Sequence, residues 1–207
     1  HRKQGSTYYT PERIAAGRRN VEKYGWARSQ RDRILGSGGA AGSAGPFAAM
    51  SDEALWALQP STRLPRAHVP GTWFNMCPVH GVAMQAHNSY YAWRLDALDH
   101  PYKLQCPVGK EWYPSNDYIN GDMTGGEFPD DGGGILRDGK RYFVLREYAH
   151  RVYRDVVVPA LGALSQAYLL SNDSRYAHKC AVLLTRLASE YPNYGWGGAE
   201  PEMEDRS

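Results

Sequence analysis

From Ser61 to Gly139 the chain carries no sustained hydrophobic periodicity, and it is rich in Pro, Gly, Asn, Asp and aromatic residues. A compact domain rarely holds so long an irregular stretch unless its loops are functional or pinned by something. This stretch contains a candidate pin. Cys77-Pro78-Val79-His80-Gly81 and Cys106-Pro107-Val108-Gly109 are two copies of one phrase. Cys77 and His80 have the spacing of two ligands in a zinc knuckle, and Cys106 offers a third. A structural zinc ion takes four ligands, and Gly109 stands where the second copy would supply the last. His87 and His100 are candidates to complete the set, although neither sits at the repeat-equivalent position. The competing reading is a metal-free pair of turns shaped by their Pro and Gly residues.

The segments flanking this stretch are periodic. Thr10-Pro11-Glu12 combines a capping hydroxyl, a proline suited to the first helical position and an early acid. Apolar positions from Ile14 to Ile34 then predict one long amphipathic helix over 11–35, with a strongly basic opposite face. Gly36 to Gly45 reads GSGGAAGSAG and predicts a flexible linker, taken as 36–50. A short helix through Leu58 follows Ser51, and 51–139 forms the irregular aromatic insert. Helical spacing resumes at about Arg141 and runs to Tyr191, and 140–207 is read as a helical segment with its tail. Pro159 is expected to kink or restart a helix, Ser171-Asn172-Asp173 to break it and Pro192 to stop the last one. Short connections between these helices imply antiparallel neighbours. The tail after Tyr194 reads as an acidic, Gly-rich loop or the start of further chain. The expected fold class is therefore mainly α.

Composition narrows the function classes. The apolar fraction is 42% and the formal net charge is +2, so the chain is expected to be globular and not a nucleic-acid binder by charge. No run reaches the length of a membrane-spanning helix, and no signal peptide is visible within the chain, which is expected either to be cytosolic or to have had its signal removed. Three Cys do not indicate a disulfide framework, and Cys180 is expected to be a buried free thiol in a helix. There are 15 Tyr and 6 Trp against 4 Phe. Rings with a polar handle suit a surface that must be both apolar and hydrogen-bonding, such as a sugar cleft.

The order of several phrases adds to this. Tyr8-Tyr9-Thr10-Pro11-Glu12-Arg13 is followed by Asn20 to Ala27, the two Cys-Pro phrases, and His100-Pro101-Tyr102-Lys103-Leu104-Gln105 ahead of the second one. Tyr113-Pro114-Ser115-Asn116-Asp117, Ala160 to Leu170, and the run from Tyr176-Ala177-His178 to Ala188 come after. In this order the chain resembles the N-terminal part of bacterial heparinase II/III-like polysaccharide lyases. The resemblance implies a partial (α/α) toroid of helical hairpins with a long Cys-Pro-containing insert. It also implies a parent protein that continues into the rest of the toroid and a β-sandwich, and a secreted or periplasmic location.

Lyases of this kind cleave uronic-acid-containing glycans, of glycosaminoglycan or alginate type, by β-elimination. The uronate carboxylate must be neutralised so that an enolate-like intermediate is stabilised. A Tyr or His removes the C5 proton, and a Tyr commonly protonates the leaving oxygen. The candidates within this chain are Asn116, Tyr148 and His150, with Asp117 beside the first. The full catalytic set is expected to extend beyond Ser207. Arg94, Lys103, Trp93, Trp112 and Arg146, with Tyr90 and Tyr91, are candidates for an acidic-sugar subsite, where rings stack on sugars and cations pair with carboxylate or sulfate. The chemistry itself requires no cofactor. The expected metal is a structural zinc ion on Cys77, His80 and Cys106, and the expected partner is an acidic polysaccharide, with no nucleic acid or membrane. The alternatives are a non-catalytic carbohydrate-binding module and a zinc-stapled interaction domain.

Overall fold

A computed structural model describes residues 5–36, 42–60, 76–88 and 92–193. Tyr90, Tyr91, residues 37–41 of the Gly-rich linker and the acidic tail lie outside the described residues. The chain divides into two compact units. One comprises His1–Ala57 with Val156–Leu187, and the other Leu58–Asp155 with Ala188–Ser207. The structure is mainly helical, as the sequence predicts. Among the described residues no helix is long and apolar enough to cross a membrane.

The first unit contains α1 (Pro11–Lys23), α2 (Gly25–Leu35), α3 (Ala44–Ala49), α4 (Asp52–Ala57), α7 (Val158–Ser171) and most of α8 (Ser174–Glu190). Thr10 Oγ1 accepts from Arg13 N at 3.4 Å and starts α1. The single long helix predicted over 11–35 is in fact two. Tyr24 is extended, with φ −116° and ψ 134°, and its N–H closes α1 on Asn20 O. The reason lies in burial. Val21 and Ala27 are the buried residues of the two helices, and six positions along one straight helix would set them about 120° apart. The break lets both face inward.

A second correction concerns the predicted linker. Ala44–Ala49 is helical, and Ala44 and Phe47 are buried, so this part of 36–50 contributes to a core. Small residues made it look like spacer. Gly36 ends α2 in the left-handed region, φ 88°, where glycine carries no Cβ penalty.

Both α1 and α2 pack on α7. Arg18 of α1 donates from Nε to Leu169 O at 2.8 Å and from Nη2 to Asn172 Oδ1 at 3.0 Å. This cation therefore closes the C-terminal end of α7, where orphan carbonyls and the helix dipole favour it. Asn172 is left-handed, φ 61°, and ends α7 at the expected polar break. Pro159 lies in the first turn of α7, preceded by a π-helical turn over Tyr153–Val157. Cys180 Sγ approaches Leu161 O at 4.0 Å, so α7 and α8 touch on either side of their connecting turn. Cys180 is only half-buried, a lesser burial than the sequence suggests. Lys179 Nζ reaches Met50 O and Asp52 Oδ1, at 2.7 and 2.6 Å, which ties α8 to the start of α4.

The second unit is where the irregular stretch folds. Short strands β1 (Arg94–Leu95), β2 (Leu104–Gln105) and β3 (Trp112–Tyr113) form an antiparallel sheet in that order. Strands β4 (Ile135–Arg137) and β5 (Lys140–Tyr142) form a hairpin turned by Asp138 and Gly139, both at positive φ. Between Gly81–Met84, a 3₁₀ turn, and β1 lies the short α5 (Gln85–Asn88). Strand pairs this short leave most backbone groups to be satisfied by side chains. Asn116 and Asp130 do much of that. Asn116 Nδ2 donates to Asp122 O at 2.9 Å and Asp130 O at 3.1 Å, while its Oδ1 accepts from Asp130 N at 2.9 Å. The Asp130 carboxylate accepts from Gly132 N, Gly134 N and Leu145 N at 2.7, 2.9 and 3.0 Å. The last of these caps α6 (Val144–Val152), a largely buried helix with no side-chain cap of its own. Tyr102 stacks between Tyr118 and Tyr148, at centroid distances of 5.0 and 5.3 Å.

Candidate metal centre

The two Cys-Pro-Val phrases fold into the same turn. Gly81 N donates to Cys77 O at 2.9 Å, and Lys110 N donates to Cys106 O at 3.0 Å. Gly81 and Lys110 both have positive φ, 48° and 69°. In each turn proline follows the cysteine and has no N–H, so the next two amides are the ones that can reach back to the sulfur. Val79 N and His80 N donate to Cys77 Sγ at 3.3 and 3.0 Å. Val108 N and Gly109 N do the same for Cys106 Sγ. Paired amide donors on each sulfur favour its thiolate form, the form that binds metal.

The turns face each other. His80 Nδ1 lies 3.4 Å from Cys77 Sγ and 3.5 Å from Cys106 Sγ. The three ligand atoms all lie within 4.8 Å of one another, and the group could hold a metal ion. Both cysteines are free and fully buried. Burial pushes the Cys106 thiol above its ordinary pKa, against the pull of its two amide donors. The Tyr113 hydroxyl stands 3.8 Å from Cys77 Sγ and is pushed far up by burial and by that neighbour. Its ring sits edge-on to Trp93 and Phe128, at 5.9 and 5.4 Å. Tyr113 thus links the group to the packed aromatic residues of the insert.

Among the described residues this group contains none of His87, His100 and Glu111. His87 is exposed on α5, and His100 stacks on Trp112 with 3.9 Å between centroids. Sequence spacing misses a different neighbour. Glu111 Oε1 lies 3.6 Å from His80 Nδ1. It arrives there because Cys106 N donates to Glu111 O at 2.9 Å, folding the second turn back on itself.

The remaining candidate residues are placed as follows. Asn116 is 1% exposed, with the three hydrogen bonds described above. Tyr148 is also buried, and burial raises its hydroxyl pKa far beyond the ordinary range. His150 is half-buried near the end of α6. Lys103 Nζ donates to Pro114 O and Asn116 O at 2.8 and 3.1 Å, and burial lowers its pKa. Arg146 is buried, donates from Nε to Gly132 O at 3.1 Å and covers the Phe143 ring. Trp93 is buried and receives the Arg151 guanidinium on its carbonyl. Trp112 is half-buried, and Arg94 is exposed on β1. Of the eight catalytic and sugar-subsite candidates, Asn116, Lys103, Trp93, Tyr148 and Arg146 are therefore engaged in packing or in holding loop backbone. A cavity of about 430 Å³ lies instead in the first unit, between Tyr8, Tyr9 and Arg13 on one side and Gln166, Leu169 and Leu170 on the other. Tyr8 and Tyr9 enter the sequence reading only as part of an ordered phrase.

No protein-family model, no curated protein and no solved structure matches the chain.

Proposed function

We propose that Cys77, His80 and Cys106 bind a structural zinc ion, and that this ion pins the irregular insert of the second unit. The observation that carries this reading is the triangle of ligand atoms at 3.4 and 3.5 Å about His80 Nδ1. Bonds of 2.0–2.3 Å to a tetrahedral zinc ion set its ligand atoms about 3.3–3.8 Å apart. Two thiolates and an imidazole also form a donor set suited to zinc. Binding a group that exists only in the folded state adds to folding stability, by about 4 kcal/mol when free zinc is a thousandfold above its Kd.

The test is metal analysis of the purified chain after dialysis, with thermal unfolding before and after a strong chelator. Bound zinc near one equivalent per chain, and a melting temperature that falls on chelation and returns with added Zn²⁺, is the expected result. Zinc far below one equivalent, with melting unchanged by Zn²⁺, would refute it.

The wider reading is that this pinned insert belongs to the N-terminal segment of a polysaccharide lyase with a partial helical toroid. It is supported by the order of the phrases from Tyr8 to Ala188 and by the α7–α8 pairing. The segment then acts as scaffold, with uronate β-elimination completed by residues elsewhere in the parent protein. Incubation with alginate, heparin, chondroitin and hyaluronan tests it through the ultraviolet absorbance of unsaturated uronate product. Product from the longer parent protein supports the lyase reading. Glycan retention without product from either form would favour a binding module.

A further inference from the structure

We propose that Glu111 is the fourth ligand of the metal centre, replacing the side chain that the second Cys-Pro turn lacks at Gly109. The inference rests on the zinc site proposed above and completes its coordination. Aligning the two turns puts Gly109 opposite His80, since Cys77 and Cys106 each begin the turn. A side chain at 109 would be the natural fourth ligand. The space where that side chain would begin is already filled. A Cβ placed on Gly109 would lie 2.1 and 2.2 Å from the two Glu111 carboxylate oxygens. Glu111 therefore occupies the room that a ligand at 109 would use, and the glycine is what lets it do so.

Two further observations point the carboxylate at a cation. Glu111 Oε1 is 3.6 Å from His80 Nδ1, close to the distances of the two sulfurs from that nitrogen. Glu111 lies outside the set of ligand atoms that are all within 4.8 Å of one another, so binding requires its carboxylate to turn towards the sulfurs. Glu111 Oε2 is buried and has no hydrogen-bond partner, although the side chain as a whole is 40% exposed. A carboxylate oxygen shut away from water without a donor is costly, and metal coordination is one of the few arrangements that relieves it. Lys110, its chain neighbour, turns its ammonium group to Pro107 O. A carboxylate as fourth ligand closes the coordination sphere. The site then keeps no position for a reactive water, which fits a structural ion rather than a catalytic one.

The experiment measures Zn²⁺ affinity by chelator competition and records the absorption of the Co²⁺-substituted chain. It compares the wild type with Cys77→Ser, Glu111→Gln, and Glu111→Ala combined with Gly109→Cys. The expected result is tight binding by the wild type and its loss in Cys77→Ser. Glu111→Gln should weaken binding by at least about tenfold, in line with losing a directly bound group where outer-shell losses already reach that size. The double variant should restore affinity and raise the sulfur-to-cobalt charge-transfer intensity, because a third thiolate enters from position 109. Wild-type affinity and an unchanged cobalt spectrum in Glu111→Gln would overturn the Glu111 assignment while leaving the three-residue site standing. A wild-type chain that binds neither metal would overturn both.

Discussion

Asn116 is where a catalytic and a structural role can be separated most cleanly. Its side chain joins three loop segments through two donated bonds and one accepted bond, and it is 1% exposed. Asn116→Ala removes all three and leaves Asp130 N buried without an acceptor. Each lost bond costs about 1 kcal/mol net, and a stranded buried donor adds about 1–3 kcal/mol. The sum is about 4–6 kcal/mol, a large share of the stability of an ordinary domain. At about 2–4 °C per kcal/mol for a chain of this size, melting should fall by about 8–24 °C. Asn116→Asp should be similarly harmful, because it sets a carboxylate oxygen against two backbone carbonyls. Thermal unfolding by circular dichroism reads the effect, and lyase assays on the parent protein run beside it. A variant that keeps its melting temperature and loses only activity would refute the structural assignment and return Asn116 to the chemistry.

Three other perturbations bear on the fold. Asp130→Asn must turn its amide towards one of the backbone donors, Leu145 N being the lone partner of Oδ2, and should cost about 1–3 kcal/mol. Burial raises the Asp130 pKa above its ordinary 3.8, so the stability linked to its protonation is full below that value and is lost as pH rises through the raised pKa. The stability gap between wild type and Asp130→Asn should therefore narrow with rising pH, and a gap that widens would refute the assignment. Asp52 behaves oppositely: hydrogen bonds from Lys179 and His178 hold its pKa below 3.8. Its contribution is present above that value and lost as pH falls through the lowered pKa, so Asp52→Asn should lower the melting temperature at neutral pH and matter least in strong acid. Gly36→Ala forces a side chain into φ 88°, with its Cβ 2.7 Å from Ser43 Oγ. It should destabilise the chain by at least about 1–2 kcal/mol, and an unchanged unfolding midpoint would show that α2 does not end there as described.

The helix punctuation was legible because it is local. Thr10, Pro159 and Asn172 act through their own backbone geometry within a few residues. The break at Tyr24 is marked only by Gly25, and an isolated glycine is tolerated inside a helical pattern, so it did not decide the matter. The break exists because two buried faces must meet one partner, α7. The helix at Ala44–Ala49 was hidden for a related reason: Ala and Gly carry little periodic signal, and burial of Phe47 decides the matter. The catalytic and sugar-binding candidates show the same limit. Polar and aromatic residues in an irregular stretch look available in sequence. The structure instead places Asn116, Lys103 and Arg146 on loop carbonyls, because sparse strands leave those groups to be satisfied.

By itself the sequence determined that the chain is mainly helical, and that Cys77, His80 and Cys106 share one potential centre. Both follow from periodicity and from ligand spacing within a single turn. Only the tertiary structure decided how the two turns face each other and which side chain fills the space at Gly109. A carboxylate two residues further along reaches that space because a backbone bond from Cys106 to Glu111 reverses the chain. Spacing in sequence measures distance along the chain, whereas a metal ion reads only the geometry around a point.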